Sequence, residues 1–394
     1  MAKIAPKAFG GPVLFSYGFR PFFLGAIVFA SLVIPFWVGV FQGTFELGGF
    51  FSPIDWHIHE MLFGYTAAVV SGFLFTAIPN WTGRMPIKGW PLALLAALWV
   101  LGRLAMLGIS GLSPPAVALI DCAFLAAIGA MILREIIAGQ NWRNLKVVVP
   151  ILLFLAANLL FHFEVLTQGG ADYSRRLGLA VVIFLITLIG GRIIPSFTRN
   201  WLVKSNPGAL PIPFNRFDAV CLLAGAITLV VWVILPDAPA TGALLYVAAA
   251  LHLFRLTRWK GHRTPASLLL LMLHIAYAFI PLGFLVLGLG HTVAALHLLG
   301  IGAVGGMTTA VMIRATLGHT GRSLESGKAL GAGFILIILA GIMRSAASDA
   351  YLLGLSGLVV SATLWTVGFG LLFIWLGPCL WSPKAGRKTP NQPA

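Results

Sequence analysis

Apolar runs of about twenty residues recur along the whole chain, the length that spans a bilayer as a helix. Short stretches rich in Pro, Gly and Asn separate them, as in "NWTGRMPIKGWP" and "SNPGALPIPFNR". The runs do not alternate apolar with polar positions, which excludes the strands of a membrane barrel. Twelve transmembrane helices are predicted, at 21–41, 57–79, 91–109, 115–138, 145–167, 176–197, 216–236, 240–259, 266–288, 291–317, 328–346 and 351–377. The connections are too short for an extramembrane domain, so 1–394 reads as a single all-α transmembrane domain.

Composition agrees. Of 394 residues, 59% are hydrophobic and 9% charged, more apolar surface than a soluble domain of this size can hide. The net charge of +15 changes the picture only through its placement. Nucleic acid is not the partner it implies, because cytoplasmic loops collect Lys and Arg. Twelve spans put both termini, and the loops after even-numbered helices, on one side. That side carries every Lys and Arg except Arg103, Arg175, Arg176 and Arg344. Both termini are therefore expected in the cytoplasm. Cys122, Cys221 and Cys379 form no CxxC and read as buried small apolar residues. The stretch "MAKIAPKAFGGPVLFSYGFRPFF" has no short apolar core followed by a cleavage site, so no removable signal peptide is expected.

Spans 2 and 10 resemble each other at an offset of 238 residues: His59 falls on His297, Gly64 on Gly302, and Thr82-Gly83-Arg84 on Thr320-Gly321-Arg322. Half that offset leads to span 6, whose "GGRIIPSFTRNW" echoes "SGFLFTAIPNW" of span 2 but lacks the histidine. Three diverged four-helix units, 20–138, 139–259 and 260–377, are one reading. Chance similarity among Gly-rich apolar helices is the other.

With that orientation, His59 and His297 lie at similar depth in the outer part of the bilayer. His57 and His291 lie near the same surface, and His162 near the outer end of span 5, with Glu164 two residues on. His274 is deeper, about 12 Å into span 9. His252, His262 and His319 read as cytoplasmic and solvated. A lone histidine near a helix end is ordinarily a satisfied interfacial residue. Two repeat-related histidines at equal depth point instead to one shared site, and two axial imidazoles suit a square-planar cofactor. Gly300, Gly302, Gly305 and Gly306 offer either a groove for a flat macrocycle or helix–helix packing.

His57 stands about 200° around the helix from His59 and about 60° from Glu60. His57 and Glu60 could thus hold a second metal or hydrogen-bond to each other, unless His57 lies outside the helix, capped by Asp55 and Trp56. Copper would suit an imidazole-rich site. Arg192 and Arg314, at the inner ends of spans 6 and 10, read as snorkelling cations. The outer-side Arg103, Arg175, Arg176 and Arg344 would meet headgroups, loops or an acidic cofactor group. Pro79 and Pro195 read as helix terminators. No P-loop, dinucleotide fingerprint or nucleophile–base motif is present in the sequence.

"GFRPFFL" before span 1, "WHIHEMLFGY" opening span 2, and "HLLGIGAVGGMTTAVMIRATLGHTGR" through span 10 resemble the NnrS family, over essentially the whole chain. The resemblance implies a multi-pass protein of the bacterial inner membrane, containing haem and copper and linked to denitrification and to resistance against nitric oxide and nitrosative stress. Carried over onto the matching motifs, it makes His57, His59, His291 and His297 candidate cofactor ligands. Glu60 and His162 join them as candidate metal ligands from the reading of the residues. Haem–copper oxidases offer a looser analogy, with twelve helices in three arcs and haem ligands on helices 2 and 10. This chain departs from them in having no histidine in span 6 and in the six-residue spacing of His291 and His297. The expected function is to reduce, bind or sense nitric oxide within the lipid bilayer, with an unidentified electron donor. If the protein is an enzyme, it is a metal-dependent oxidoreductase. The alternative is a transporter of a metal or of haem, built on the same histidines.

Overall fold

Each predicted apolar run forms one helix. They are α1 (Phe19–Phe41), α2 (Pro53–Thr82), α3 (Trp90–Met106), α4 (Pro114–Ala138), α5 (Val148–Gln168), α6 (Tyr173–Ser205), α7 (Arg216–Ile234), α8 (Pro239–Thr257), α9 (Leu268–Gly288), α10 (Thr292–His319), α11 (Gly327–Ala346) and α12 (Gly357–Trp381). The computed structural model describes residues 10–109, 111–347, 350–352 and 354–386. Lys3, Lys7, Arg387 and Lys388, counted among the basic residues of one side, lie outside them. Among the described residues, eleven helices are long and apolar enough to cross a membrane, and α3, with 17 residues, is shorter. The chain is an all-α, multi-pass bundle.

Four boundaries differ from the sequence reading for identifiable reasons. Helix α2 starts at Pro53, because the Ser52 hydroxyl accepts from the Asp55 amide at 3.1 Å, so Asp55, Trp56 and His57 lie inside the helix. Pro79 and Pro195 do not end α2 and α6 but sit within them, as Pro35 and Pro281 sit within α1 and α9. Proline is tolerated in membrane helices, where neighbouring groups re-satisfy the freed carbonyl. The stretch expected to begin span 12 instead forms a hairpin, β1 (Tyr351–Leu352) with β2 (Leu355–Ser356), turning at Gly354 with φ +79°. Ser356 then caps α12.

Helices α2, α6 and α10 touch one another pairwise at the centre. Their apolar stretches are accordingly well enclosed, 83% buried for α2 and 72% for α10, against 33% for the peripheral α7, α8 and α12. Both α2 and α10 widen into a π-helix directly after the repeat-matched histidine, over Glu60–Thr66 and Leu298–Gly305. Helix α6 stays α-helical throughout. A π turn re-aims the side chains around it and is frequent at functional sites.

The "GFRPFFL" motif has a structural role. Arg20 is buried, and its Nη1 donates to the carbonyls of Leu380 (2.9 Å), Ser382 (2.9 Å) and Cys379 (3.3 Å) at the C-terminus of α12. It thereby satisfies orphan carbonyls where the helix dipole favours a cation. Arg20→Ala should lower stability by roughly 1.5–3 kcal/mol, the range for a charged hydrogen bond, seen as a lower thermal midpoint in detergent. An unchanged midpoint would show that water replaces the guanidinium there.

Candidate functional site

A cavity of about 1240 Å³ opens among the central helices. It exceeds the roughly 300–1,000 Å³ of ordinary small-molecule pockets. Asp172, Asp237 and Gly290 on its rim belong to loops that follow odd-numbered helices, the face opposite the basic-rich loops. Its deep end reaches Tyr65, Val304 and Trp365. Tyr65 lies twelve residues into α2, about 18 Å along the helix. There the Tyr65 hydroxyl meets the Thr308 hydroxyl at 2.6 Å, while Thr308 donates onward to the Val304 carbonyl at 2.7 Å. Tyr65 is therefore the donor, and the bond ties α2 to α10 beneath the cavity.

His57 and His297 both line this space. His297 Nδ1 donates to the Val293 carbonyl at 2.7 Å, which fixes the tautomer and leaves Nε2 with its lone pair. That is the arrangement a metal-ligating imidazole normally takes. His57 stacks on Trp37 at 4.2 Å between ring centroids, and Trp37 is itself anchored to the Pro53 carbonyl at 2.8 Å. The buried Nδ1 of His57 has no hydrogen-bond partner. Arg175, Arg176 and Arg344 line the same cavity. Arg175 pairs with Asp172 at 2.5 Å, and Arg176 donates to the Val233 carbonyl at 3.2 Å. Gly300 faces open space within the cavity wall, whereas a side chain on Gly302, Gly305 or Gly306 would meet Phe279, Trp365 or Ala276. One glycine thus opens the cavity wall and three serve packing.

His59 points elsewhere. Its Nδ1 lies 3.1 Å from Glu60 Oε1, and its Nε2 lies 2.9 Å from Asn158 Oδ1 and 3.1 Å from Asp121 Oδ2. His162 Nε2 reaches the same Asp121 oxygen at 3.0 Å. Arg103 bridges the two carboxylates, donating from Nη1 to Glu60 and from Nη2 to Asp121. All six residues are buried.

The expected placements can now be compared. The shared site for His59 and His297 is not what the packing gives: His57 is the histidine that meets the His297 cavity. The reason is angular, since His57 and His59 lie about 200° apart and α2 turns one toward the cavity and the other toward α4 and α5. Glu60 pairs with Arg103 and His59 rather than His57, because a buried carboxylate needs a cation and Arg103 supplies it. Arg103 is therefore not a loop or headgroup contact. His291 is exposed at the start of α10 and does not line the cavity. Glu164 accepts from the amides of Tyr173 and Ser174, capping α6. His274 is buried and bonds Thr198 at 3.0 Å.

His252 is buried, not solvated. Its Nδ1 accepts from the Tyr277 hydroxyl at 2.8 Å, which in turn accepts from Arg255, held by Asp218. His262 is exposed as expected, and His319 is half-buried against Tyr17. Arg314 lies over the Phe197 ring, 3.9 Å from its centroid, a cation–π contact.

Asp121 and Asn158 are absent from the sequence-based candidates. Asp121 carried a signal, since it is an acid inside an otherwise apolar stretch of span 4. Asn158 carried little, because a single amide in a membrane helix ordinarily serves packing.

A family model described as NnrS protein matches residues 13–384. Among curated proteins, none matches the chain.

Proposed function

The chain belongs to the NnrS family, and on that premise we propose that it holds haem in the cavity between α2 and α10, with His297 and His57 as its ligands, and there handles nitric oxide. Membership associates the chain with haem, copper and nitric oxide in general terms. The observation that carries the finer reading is the pairing of two imidazoles in one cavity large enough for a macrocycle, each with a ring nitrogen outside any hydrogen bond. Arg175, Arg176 and Arg344 would meet the carboxylates of the group. When bound, haem would supply an iron able to take a diatomic ligand or an electron.

The two histidines are anchored differently. His297 is fixed through Val293, whereas His57 has only its stacking on Trp37. His297 would therefore be the firmer of the two ligands and His57 the one more easily released. Nitric oxide is small and apolar, and would enter from the membrane or through the cavity mouth.

A stoichiometric Soret band in the purified protein is the expected result. A protein purified without a tightly bound chromophore would favour the transport reading instead. The matched π segments and the central packing of α2, α6 and α10 also support three related four-helix units, which this proposal includes.

The proposed location is the bacterial inner membrane with cytoplasmic termini, which puts the cavity mouth on the outer face. His291 and Ser205 are exposed at opposite ends of the bundle. On a background in which Cys122, Cys221 and Cys379 are replaced, His291→Cys should react with an impermeant thiol reagent in intact spheroplasts, and Ser205→Cys should not. The reverse labelling would invert the topology and turn the cavity toward the cytoplasm.

A further inference from the structure

We propose that the buried cluster around Asp121 is a second, separate metal site, taking one divalent first-row transition-metal ion on His59, His162 and Asp121. It stands on residues outside the cavity and fails independently of the haem reading.

The donor atoms already converge. The ring nitrogens of His59 and His162 and an Asp121 carboxylate oxygen lie within 4.8 Å of one another, and His59 and His162 approach that oxygen at 3.1 and 3.0 Å. Such separations are close to those between neighbouring ligands of an ion bound at roughly 2.0–2.2 Å. Two imidazoles with one carboxylate suit a divalent transition metal rather than calcium or magnesium. Asn158 Oδ1, 2.9 Å from His59 Nε2, is a fourth donor at hand.

Hydrogen-bond logic points the same way. Asn158 Nδ2 donates to Asp121 Oδ2 at 2.8 Å, which fixes the amide with its oxygen toward His59. Both ring nitrogens of His59 then face oxygens that can only accept: Glu60 on one side, Asn158 and Asp121 on the other. A neutral imidazole has one N–H, so one nitrogen turns a lone pair toward oxygen lone pairs. A metal ion at Nε2 removes that conflict and leaves Nδ1–H to Glu60, the carboxylate–histidine–metal arrangement of metalloproteins.

Charge bookkeeping agrees. Glu60 and Asp121 face a single guanidinium, Arg103, so the cluster carries one uncompensated negative charge while its imidazoles are neutral. Glu60 Oε2 is buried without a hydrogen-bond partner. A buried set of this kind calls for a further cation.

The test uses full-length protein in detergent, stripped with a chelator and titrated with Cu²⁺, and with Zn²⁺ in parallel. One tight equivalent per chain is expected, and the copper form should show electron paramagnetic resonance couplings to two imidazole nitrogens. His162→Ala and Asp121→Asn should lose that equivalent. Glu60→Gln should weaken affinity about 10- to 100-fold, as changes behind a ligand do. Monodisperse elution and an unchanged far-ultraviolet circular dichroism spectrum would certify the fold of each variant. His297→Ala should lose haem yet keep the metal equivalent, so the two readings fail separately. A wild-type protein that takes up no such equivalent overturns the proposal and assigns the balancing charge to a proton on His59. An equivalent without imidazole couplings, or one unchanged in both ligand variants, overturns it as well.

Discussion

His297→Ala should abolish the Soret absorbance of the purified protein while leaving its elution profile unchanged. The imidazole it removes is the one whose tautomer is preset by Val293 and whose Nε2 is left free on the cavity. No second imidazole stands nearby on α10, since His291 is exposed at the helix start and the neighbouring Gly300 presents only backbone. His57→Ala should act differently. It removes the less anchored ligand, so haem should remain but shift from a six-coordinate to a five-coordinate spectrum, and nitric oxide should bind faster. His262→Ala, exposed between α8 and α9, is the control and should leave the spectrum intact. If His297→Ala keeps a normal Soret band while His59→Ala loses it, the ligand has been placed on the wrong face of α2.

The helices were legible because hydropathy is a local property: twenty apolar residues in a row have few other fates. The matching places of His59 and His297 near the starts of α2 and α10 were legible too, since they follow from counting residues along the chain. The faces were not. A helical wheel sets His57 and His59 on opposite sides of α2, but which of the two meets α10 depends on how α2 packs against α4 and α5. The offset of 238 residues therefore matches the two histidines' places along their helices without giving a common target. The polar cluster was harder still, because α2, α3, α4 and α5 each contribute to it and no pattern within one span announces such a meeting. Arg103 illustrates the difficulty. Counted as an outer-side cation, it looked like a surface charge, yet the short α3 places it opposite Gly64 and between two carboxylates. Pro79 and Pro195 misled for another reason: the rule that proline ends a helix holds in water and is relaxed where neighbouring helices enclose the backbone.

Arg103→Ala should be among the most destabilising single changes in the chain, by about 3–5 kcal/mol, the cost of leaving a buried partner uncompensated. The guanidinium is 8% exposed and reaches Glu60 and Asp121 at once, whose side chains are 1% and 0% exposed. Removing it leaves two carboxylates in a low-dielectric interior with only imidazoles to answer them. Lysine is a poor substitute, because one ammonium on a flexible stem does not reproduce a planar fork that serves two acceptors from two nitrogens. Arg103→Lys should therefore fall between wild type and alanine. The measurement is the thermal midpoint in detergent, read together with the fraction eluting as monodisperse protein. Adding Glu60→Gln and Asp121→Asn to Arg103→Ala removes the stranded charges and should restore part of the loss, a non-additivity expected only if the three side chains act as one unit. A strictly additive triple variant would show that Arg103 contributes by packing against α2 and α4 rather than by charge. The cluster and the cavity share α2, which contributes Glu60 to the first and His57, three residues earlier, to the second. A chain that loses Arg103 should thus shift toward the five-coordinate spectrum expected of His57→Ala, as the helix presenting His57 loosens, even though Arg103 never touches the cavity.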